Sequence, residues 1–301
     1  MPLFKGLVAT PITSFDENEN IYEAGVRNVI NYLHSHGIRN LFCIGSWGGF
    51  AMMSSAERMK VAEIQISECK AKGMKLIVNV SCPYTKEAIR LARHAQEHGA
   101  DAVVTLSPYY YTQYGYNDDN ILYYLSELVE AVDIPVHYYN NTRTTGVILT
   151  IDLFKKFLDI GIMGMKEGGG NLATFIEMMG ILKEKDIDFD MIPSSVTMFV
   201  NGLLNGVKAT MIGSAMVFPE VAVHAYEAFQ AGDMDETIKL HLQLMDLRRI
   251  LGSKGFSPAT CYGLLRLRGV DVGRPRRPWL DLSDKDLEDI KQSLKIAGLT
   301  F

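Results

Sequence analysis

Eight times along the chain a short β-rich run is followed by a longer amphipathic stretch, and no long linker interrupts the alternation. GLVAT precedes IYEAGVRNVINYLHSHG, NLFCIG precedes SSAERMKVAEIQISECKAKG, and KLIVNV precedes TKEAIRLARHAQEHG. DAVVTL, IPVHYY, IMGMK, FDMIP and KATMIG lead into amphipathic segments in the same way. Strands alternating with helices build parallel β-α-β units. Most of the strand candidates are nearly continuous in apolar residues, as parallel strands buried on both faces should be. Gly37, Gly73, Gly99, Gly161, Gly206 and Gly232 stand at the ends of helical stretches, where a left-handed residue costs least. A doubly wound open sheet usually carries a glycine-rich phosphate loop after its first strand, whereas this strand runs into TPITSFDENEN. The expected fold is therefore α/β, a closed (β/α)8 TIM barrel, with residues 1–232 as the barrel domain.

Residues 233–301 read as a C-terminal extension of three helices, MDETIKLHLQLMDLRRIL, PATCYGLLRLRG and SDKDLEDIKQSLKIAG. The proline-rich DVGRPRRPWLDL lies between the last two. Its three arginines are read as a solvated loop rather than an anion site. The net charge of -5 lacks the broad basic footprint of a nucleic-acid binder. No apolar run approaches the roughly 18 residues of a membrane span. The opening MPLFKGLVATPITSF is broken by Pro11 too soon for a signal peptide, which predicts a cytoplasmic protein. Cys43, Cys69, Cys82 and Cys261 form no CxxC pair and have no zinc-finger spacing, so reduced thiols are expected, with no disulfide and no metal.

In such barrels the active site lies at the carboxyl ends of the strands. Lys166, Tyr139 and the GSWGG segment from Gly45 to Gly49 stand there. Alternation along GIMGMK puts Ile162, Gly164 and Lys166 on one face, with Gly164 leaving room beneath the lysine stem. Partial desolvation of an ammonium favours the neutral amine, which attacks a ketone to give a Schiff base. A lysine snorkelling to solvent is the other reading. Tyr139 ends the neighbouring strand, about 4.8 Å away, and a phenol there can carry protons for that chemistry. His137 shares its face one layer deeper and is expected to be a hydrogen-bonded core histidine.

These residues carry a family resemblance. GLVATPITSFDENENI, GSWGGFAMMSSAER, TLSPYYY, PVHYYNNTRTTG, GIMGMKEGGGN, GLLNGVKATMIGS and LRGVDVGRPRRPWLDLSDKDL run over essentially the whole chain. Together they resemble the pyruvate-dependent class I aldolases and lyases, typified by dihydrodipicolinate synthase and N-acetylneuraminate lyase. The resemblance implies an imine between Lys166 and the carbonyl of pyruvate or another 2-oxo acid, with no metal and no organic cofactor. It implies that Tyr139 is the proton-transferring phenol, and that Ser46 relays protons and helps hold the substrate carboxylate. Tyr110 matches a tyrosine lent by a neighbouring subunit, which implies a homo-oligomer, a dimer or tetramer. Trp47, Gly48, Thr144 and Met211 complete the implied substrate-binding set, Met211 through its backbone carbonyl.

The departures from the family pattern bear on the second substrate. Trp47 replaces the second threonine of the G-[ST]-T-G-E loop, and Gly49 replaces its glutamate. Thr144 stands where the synthases keep an arginine for the carboxylate of aspartate semialdehyde, with Arg143 beside it. The sugar-binding positions of the sialic-acid lyases align with Val196, Thr197 and Gly213, and the lysine-feedback site with Pro83 and Ser55. This combination implies a Schiff-base lyase, an aldolase or dehydratase, acting on pyruvate or a 2-keto-3-deoxy acid, or a relative acting on an aromatic-bearing substrate. Dihydrodipicolinate synthase is the alternative, and a non-catalytic barrel that binds a 2-oxo acid is the competing class. Tyr109, Tyr110, Tyr111, Tyr114, Tyr116 and Trp47 line the pocket for such a substrate, or the tyrosine-rich loop is a subunit interface.

Overall fold

The computed structural model describes residues 2–255 and 257–299. The strands are β1 (Gly6–Ala9), β2 (Asn40–Cys43), β3 (Lys75–Asn79), β4 (Ala102–Thr105), β5 (Val136–Asn140), β6 (Gly164–Glu167), β7 (Asp190–Pro193) and β8 (Ala209–Met211). Their order in the sheet is β7-β6-β5-β4-β3-β2-β1-β8, the topology of a (β/α)8 TIM barrel. Helices α1 (Glu23–Ser35), α2 (Ser55–Ala71), α3 (Thr85–His98) and α4 (Asp118–Glu130) follow the first four strands. A single turn, α5 (Thr142–Thr145), and then α6 (Ile151–Asp159) follow β5. The sequence pattern gives no sign of α5, because one turn is too short to show a period. Helices α7 (Leu172–Glu184), α8 (Phe199–Leu204) and α9 (Pro219–Ala231) follow the last three strands. Then come α10 (Met234–Leu251), α11 (Ser257–Leu267) and α12 (Asp284–Ile296), the expected C-terminal helices. Gly99 (φ 92°) and Gly232 (φ 79°) are the left-handed caps of α3 and α9.

The chain divides into two compact units, Met1–Lys5 with Lys75–Thr210, and Gly6–Met74 with Met211–Phe301. In the first unit β3 to β7 pair in parallel, strand by strand, with Tyr139 opposite Lys166 and Lys166 opposite Ile192. The period of two sorts the side chains of these strands onto two faces. On one face His137, Gly164 and Asp190 make a layer. A Cβ on Gly164 would lie 2.5 Å from Cε1 and Nε2 of the His137 ring. The space expected beneath the Lys166 stem is therefore filled from the side by an imidazole. His137 is 1% exposed, as expected of a core residue, yet neither ring nitrogen has a hydrogen-bond partner among the described residues. Instead its Nε2 faces Oδ2 of Asp190 at 3.5 Å, and the ring packs edge-on against Phe4. Oδ1 of Asp190 accepts the Phe4 N–H at 3.1 Å. Tyr139, Lys166 and Ile192 form the next layer. On the opposite face the Tyr138 ring lies 4.6 Å from Phe157 of α6, and its hydroxyl pairs with Ser107 at 2.7 Å. Burial pushes the Tyr138 phenol up to about 12.

In the second unit β1 and β2 pair in parallel. The Tyr32 hydroxyl of α1 donates to the Val217 carbonyl at 2.6 Å. Ser54 and Glu57 form a capping box that starts α2. The solvated reading of DVGRPRRPWLDL holds for Arg277, whose side chain is 80% exposed, and fails for Arg276, which is 13% exposed. The Arg276 guanidinium lies 4.2 Å from the Phe15 ring centroid, donates to the Met52 carbonyl at 2.8 Å, and pairs with Glu57 at 2.5 Å. An aromatic face and a carboxylate compensate its removal from water. The same guanidinium holds the Glu57 carboxyl down to about 2. The four cysteines are buried thiols. Among the described residues no helix is long and apolar enough to cross a membrane.

Candidate active site

Lys166 and Tyr139 reach each other because they hold directly paired positions on neighbouring parallel strands, on the same face of the pleat. Both are buried, at 5% and 6% exposed. The Lys166 Nζ lies over the π-face of the Tyr139 ring, 3.9 Å from its centroid. The phenol oxygen accepts a hydrogen bond from the Asn141 side-chain amide at 3.2 Å. An amine held against an aromatic wall and a phenol oriented by an amide are the parts needed to attack a ketone and to shuttle a proton.

On the opposite face, immediately behind this pair, lies a second one that the sequence reading passed over. The Asn140 side-chain amide donates to Oε2 of Glu167 at 2.7 Å, and the Gly169 and Gly170 N–H groups donate to Oε1 at 2.6 and 3.1 Å. Burial raises the Glu167 carboxyl above its ordinary range, against the lowering effect of these three donors. The residues after each catalytic candidate, YN and KE, carried the signal. Alternation turns them to the other face, so a search confined to the inner face misses them.

Thr144 and Arg143 sit on α5 and are exposed. The Thr144 hydroxyl donates to the Asn141 carbonyl at 3.2 Å, within its own turn. Tyr110 is 67% exposed with φ 82°, and its ring contacts those of Tyr111 and Tyr114 at centroid distances of 5.0 and 6.4 Å. A non-glycine residue at that angle is a strained position held by its surroundings.

In the second unit the loop after β2 carries Ser46, Trp47, Gly48 and Gly49. Gly49 N–H donates to the Ser46 carbonyl at 3.2 Å and takes φ 71°. A Cβ on Gly48 would meet Ile44 Cα and the Pro11 carbonyl at 3.2 Å, a tight fit against backbone. Ile44, which leads into the loop, has φ 54°, a costly angle for a β-branched residue. The Trp47 indole packs against Gly213, where a Cβ would come within 2.5 Å of Cζ2. Met211 is buried at the end of β8. Ser46 and Trp47 are half-buried.

A (β/α)8 fold with a buried lysine against a tyrosine at adjacent strand ends places an amine and a phenol where such barrels carry their chemistry. Comparison narrows that chemistry. The Dihydrodipicolinate synthetase family model matches residues 3–297, and the chain belongs to that family. It is 31% identical over 301 residues to the 4-hydroxy-tetrahydrodipicolinate synthase of Methanosphaerula palustris, covering 99% of this chain and 98% of the relative. It is 28% identical to an Escherichia coli K12 protein named "Probable 2-dehydro-3-deoxy-D-pentonate aldolase YjhH", over 83% of this chain and 82% of that one. The crystal structure of YagE from Escherichia coli K12, solved in complex with pyruvate, superposes with a TM-score of 0.90 at 24% identity and covers 99% of this chain and 100% of its own. The protein is an enzyme of the class I aldolase type, a Schiff-base-forming lyase.

Proposed function

We propose that the enzyme cleaves or dehydrates a 2-keto-3-deoxy acid through an imine at Lys166. The observation that carries this reading is the buried Lys166 amine standing 3.9 Å from the Tyr139 ring. The amine adds to the C2 carbonyl, and the carbinolamine loses water with Tyr139 supplying and recovering the proton. The protonated imine then accepts the electron pair released when the C3–C4 bond breaks, as Tyr139 takes the C4 hydroxyl proton and the aldehyde leaves. In dehydration it accepts the pair released when C3 loses its proton to Tyr139, and the C4 hydroxyl departs with a proton as water. Protonation of the enamine or loss of the hydroxyl restores the imine, which water hydrolyses to free the product and Lys166. Ser46, in the role the resemblance gives it, relays protons and binds the carboxylate. Trp47, Gly48, Thr144 and the Met211 carbonyl complete the substrate-binding set. No metal or organic cofactor enters these steps. Tyr110 is lent to a neighbouring subunit, so the working form is a dimer or tetramer, and the enzyme acts in the cytoplasm. Residues 1–232 form the catalytic domain in this reading.

The second reading is a 4-hydroxy-tetrahydrodipicolinate synthase, favoured by full-length relatives of that name. Against it stands Thr144, whose hydroxyl offers a carboxylate at most one neutral hydrogen bond in place of a bidentate guanidinium. A panel of 2-keto-3-deoxy sugar acids, hydroxy-oxo acids and aspartate semialdehyde, followed by pyruvate release or consumption, tests the choice. The sugar acids should give the highest kcat/KM. Aspartate semialdehyde at the head of the panel would overturn the first reading in favour of the second.

A further inference from the structure

Behind the Lys166–Tyr139 pair the two strands are tied together a second time, on the other face and one residue further along. Tyr139 is followed by Asn140 and Lys166 by Glu167, and these residues are directly paired in the β5–β6 ladder. Both are buried, at 6% and 3% exposed. The Glu167 carboxylate uses one oxygen for the Asn140 amide and the other for the N–H groups of Gly169 and Gly170. The backbone repeats the connection. Gly168 N–H donates to the Asn140 carbonyl at 2.9 Å, and Ser194 N–H donates to the Glu167 carbonyl at 2.8 Å. The loop is packed so closely that a Cβ on Gly168 would lie 2.7 Å from the Asn140 carbonyl oxygen. One on Gly169 would lie 2.7 Å from Asn140 Nδ2 and 2.9 Å from Glu167 Oε1.

We propose that Glu167 and Asn140 are positioning residues, a clamp at the ends of β5 and β6 that sets where the Lys166 amine stands relative to the Tyr139 phenol. Neither touches the reacting atoms on this account. A strand end released from its neighbour can shift the side chain just before it, and a misplacement of about 1 Å at a reacting group can cost on the order of 10²-fold in rate. The clamp needs two acceptor oxygens on residue 167 in the native arrangement. Glutamine can restore it by one rearrangement. Its carbonyl oxygen keeps the glycine N–H groups, and its amide donates to Asn140 Oδ1 once the Asn140 amide turns over. Asn140 Oδ1 has no hydrogen-bond partner among the described residues, so the turn sacrifices no bond there.

The inference rests on the imine at Lys166, and its test separates the two. Pyruvate is mixed with full-length protein and quenched with borohydride at timed intervals, and the adduct on Lys166 is followed by mass. Glu167→Ala and Asn140→Ala should form the adduct about 10²-fold more slowly while reaching the wild-type extent at long times. The double variant should be no slower than the slower single one, because the two residues act as a unit. Glu167→Gln should recover to within about tenfold of wild type. A residue needed only for stability would lower the thermal midpoint and leave the rate of folded protein unchanged. Wild-type rates in folded Glu167→Ala, or losses that multiply in the double variant, would overturn the clamp while leaving the imine intact. Should Glu167→Ala fail to fold, the decision passes to Asn140→Ala beside Glu167→Gln, where a fast alanine variant or a slow glutamine variant refutes the proposal. A wild-type protein that forms no adduct refutes the imine, and the clamp with it.

Discussion

Substituting Gly164 by alanine tests whether the layer beneath Lys166 is as full as its geometry says. The new Cβ would sit 2.5 Å from Cε1 and Nε2 of His137 and 2.7 Å from Cδ2. Carbon atoms in ordinary contact stand about 3.5–4.0 Å apart, so the ring must withdraw by about 1 Å. It has little room to do so, with Asp190 Oδ2 at 3.5 Å on one side and the Phe4 ring edge-on at a centroid distance of 5.9 Å on another. Forced overpacking of this kind costs about 1–3 kcal/mol. In a chain of this size that lowers the thermal midpoint by several degrees, at about 2–4 °C per kcal/mol for a somewhat smaller domain. The assay is thermal and urea unfolding of Gly164→Ala, His137→Ala and the double variant. Removing the ring relieves the clash, so the double variant should be more stable than the sum of the singles implies, by about 1 kcal/mol or more. Gly164→Ala within about 0.5 kcal/mol of wild type, or a double variant that is simply additive, would refute the reasoning.

Tyr139→Phe keeps the aromatic wall under Lys166 and removes the phenol, so kcat should fall by about 10²–10⁴-fold while the protein stays folded, measured by steady-state kinetics beside circular dichroism. The Glu57–Arg276 pair gives a pH signature. With the Glu57 carboxyl held at about 2 instead of the ordinary 4.5, its stabilisation is fully present above pH 4.5 and is lost as pH falls toward 2. The stability gap between wild type and Arg276→Ala should therefore narrow across that window, by on the order of 1 kcal/mol once solvent screening of the pair is allowed for; a gap independent of pH in urea unfolding would contradict it. Thr144→Arg places a guanidinium on an exposed turn and should raise kcat/KM for aspartate semialdehyde by about tenfold to a hundredfold, an effect absent if α5 faces away from the second substrate.

The parts of this fold that repeat were legible in the sequence. Strand runs and helical periods recur eight times, six of the helical stretches end in glycine, and strand alternation with the expected barrel order puts Tyr139 and Lys166 on one face in adjacent strands. What was not legible depended on register between distant strands. FDMIP reads as an apolar strand with one acid in it. Only the pairing of β6 with β7 brings Asp190 across Gly164 to His137. The histidine was expected to be hydrogen-bonded because buried polar groups usually are, but it lies against a carboxylate and an aromatic edge instead. The YN and KE motifs give Asn140 and Glu167 no role of their own, because outward residues of a parallel strand are normally packing residues. Arg276 looked solvated because proline and arginine dominate its loop. Its partners Phe15 and Glu57 are hundreds of residues away, where local pattern carries no information.

Borohydride trapping tests most directly whether Lys166 forms the imine. Wild-type protein and Lys166→Ala are each reduced with borohydride in the presence of pyruvate, and the adduct is located by peptide mass. The expected result is one covalent adduct in the wild type, on the peptide carrying Lys166, and none in the folded alanine variant. An adduct that persists in Lys166→Ala, or a wild-type protein that traps no pyruvate, would show that Lys166 does not form the imine.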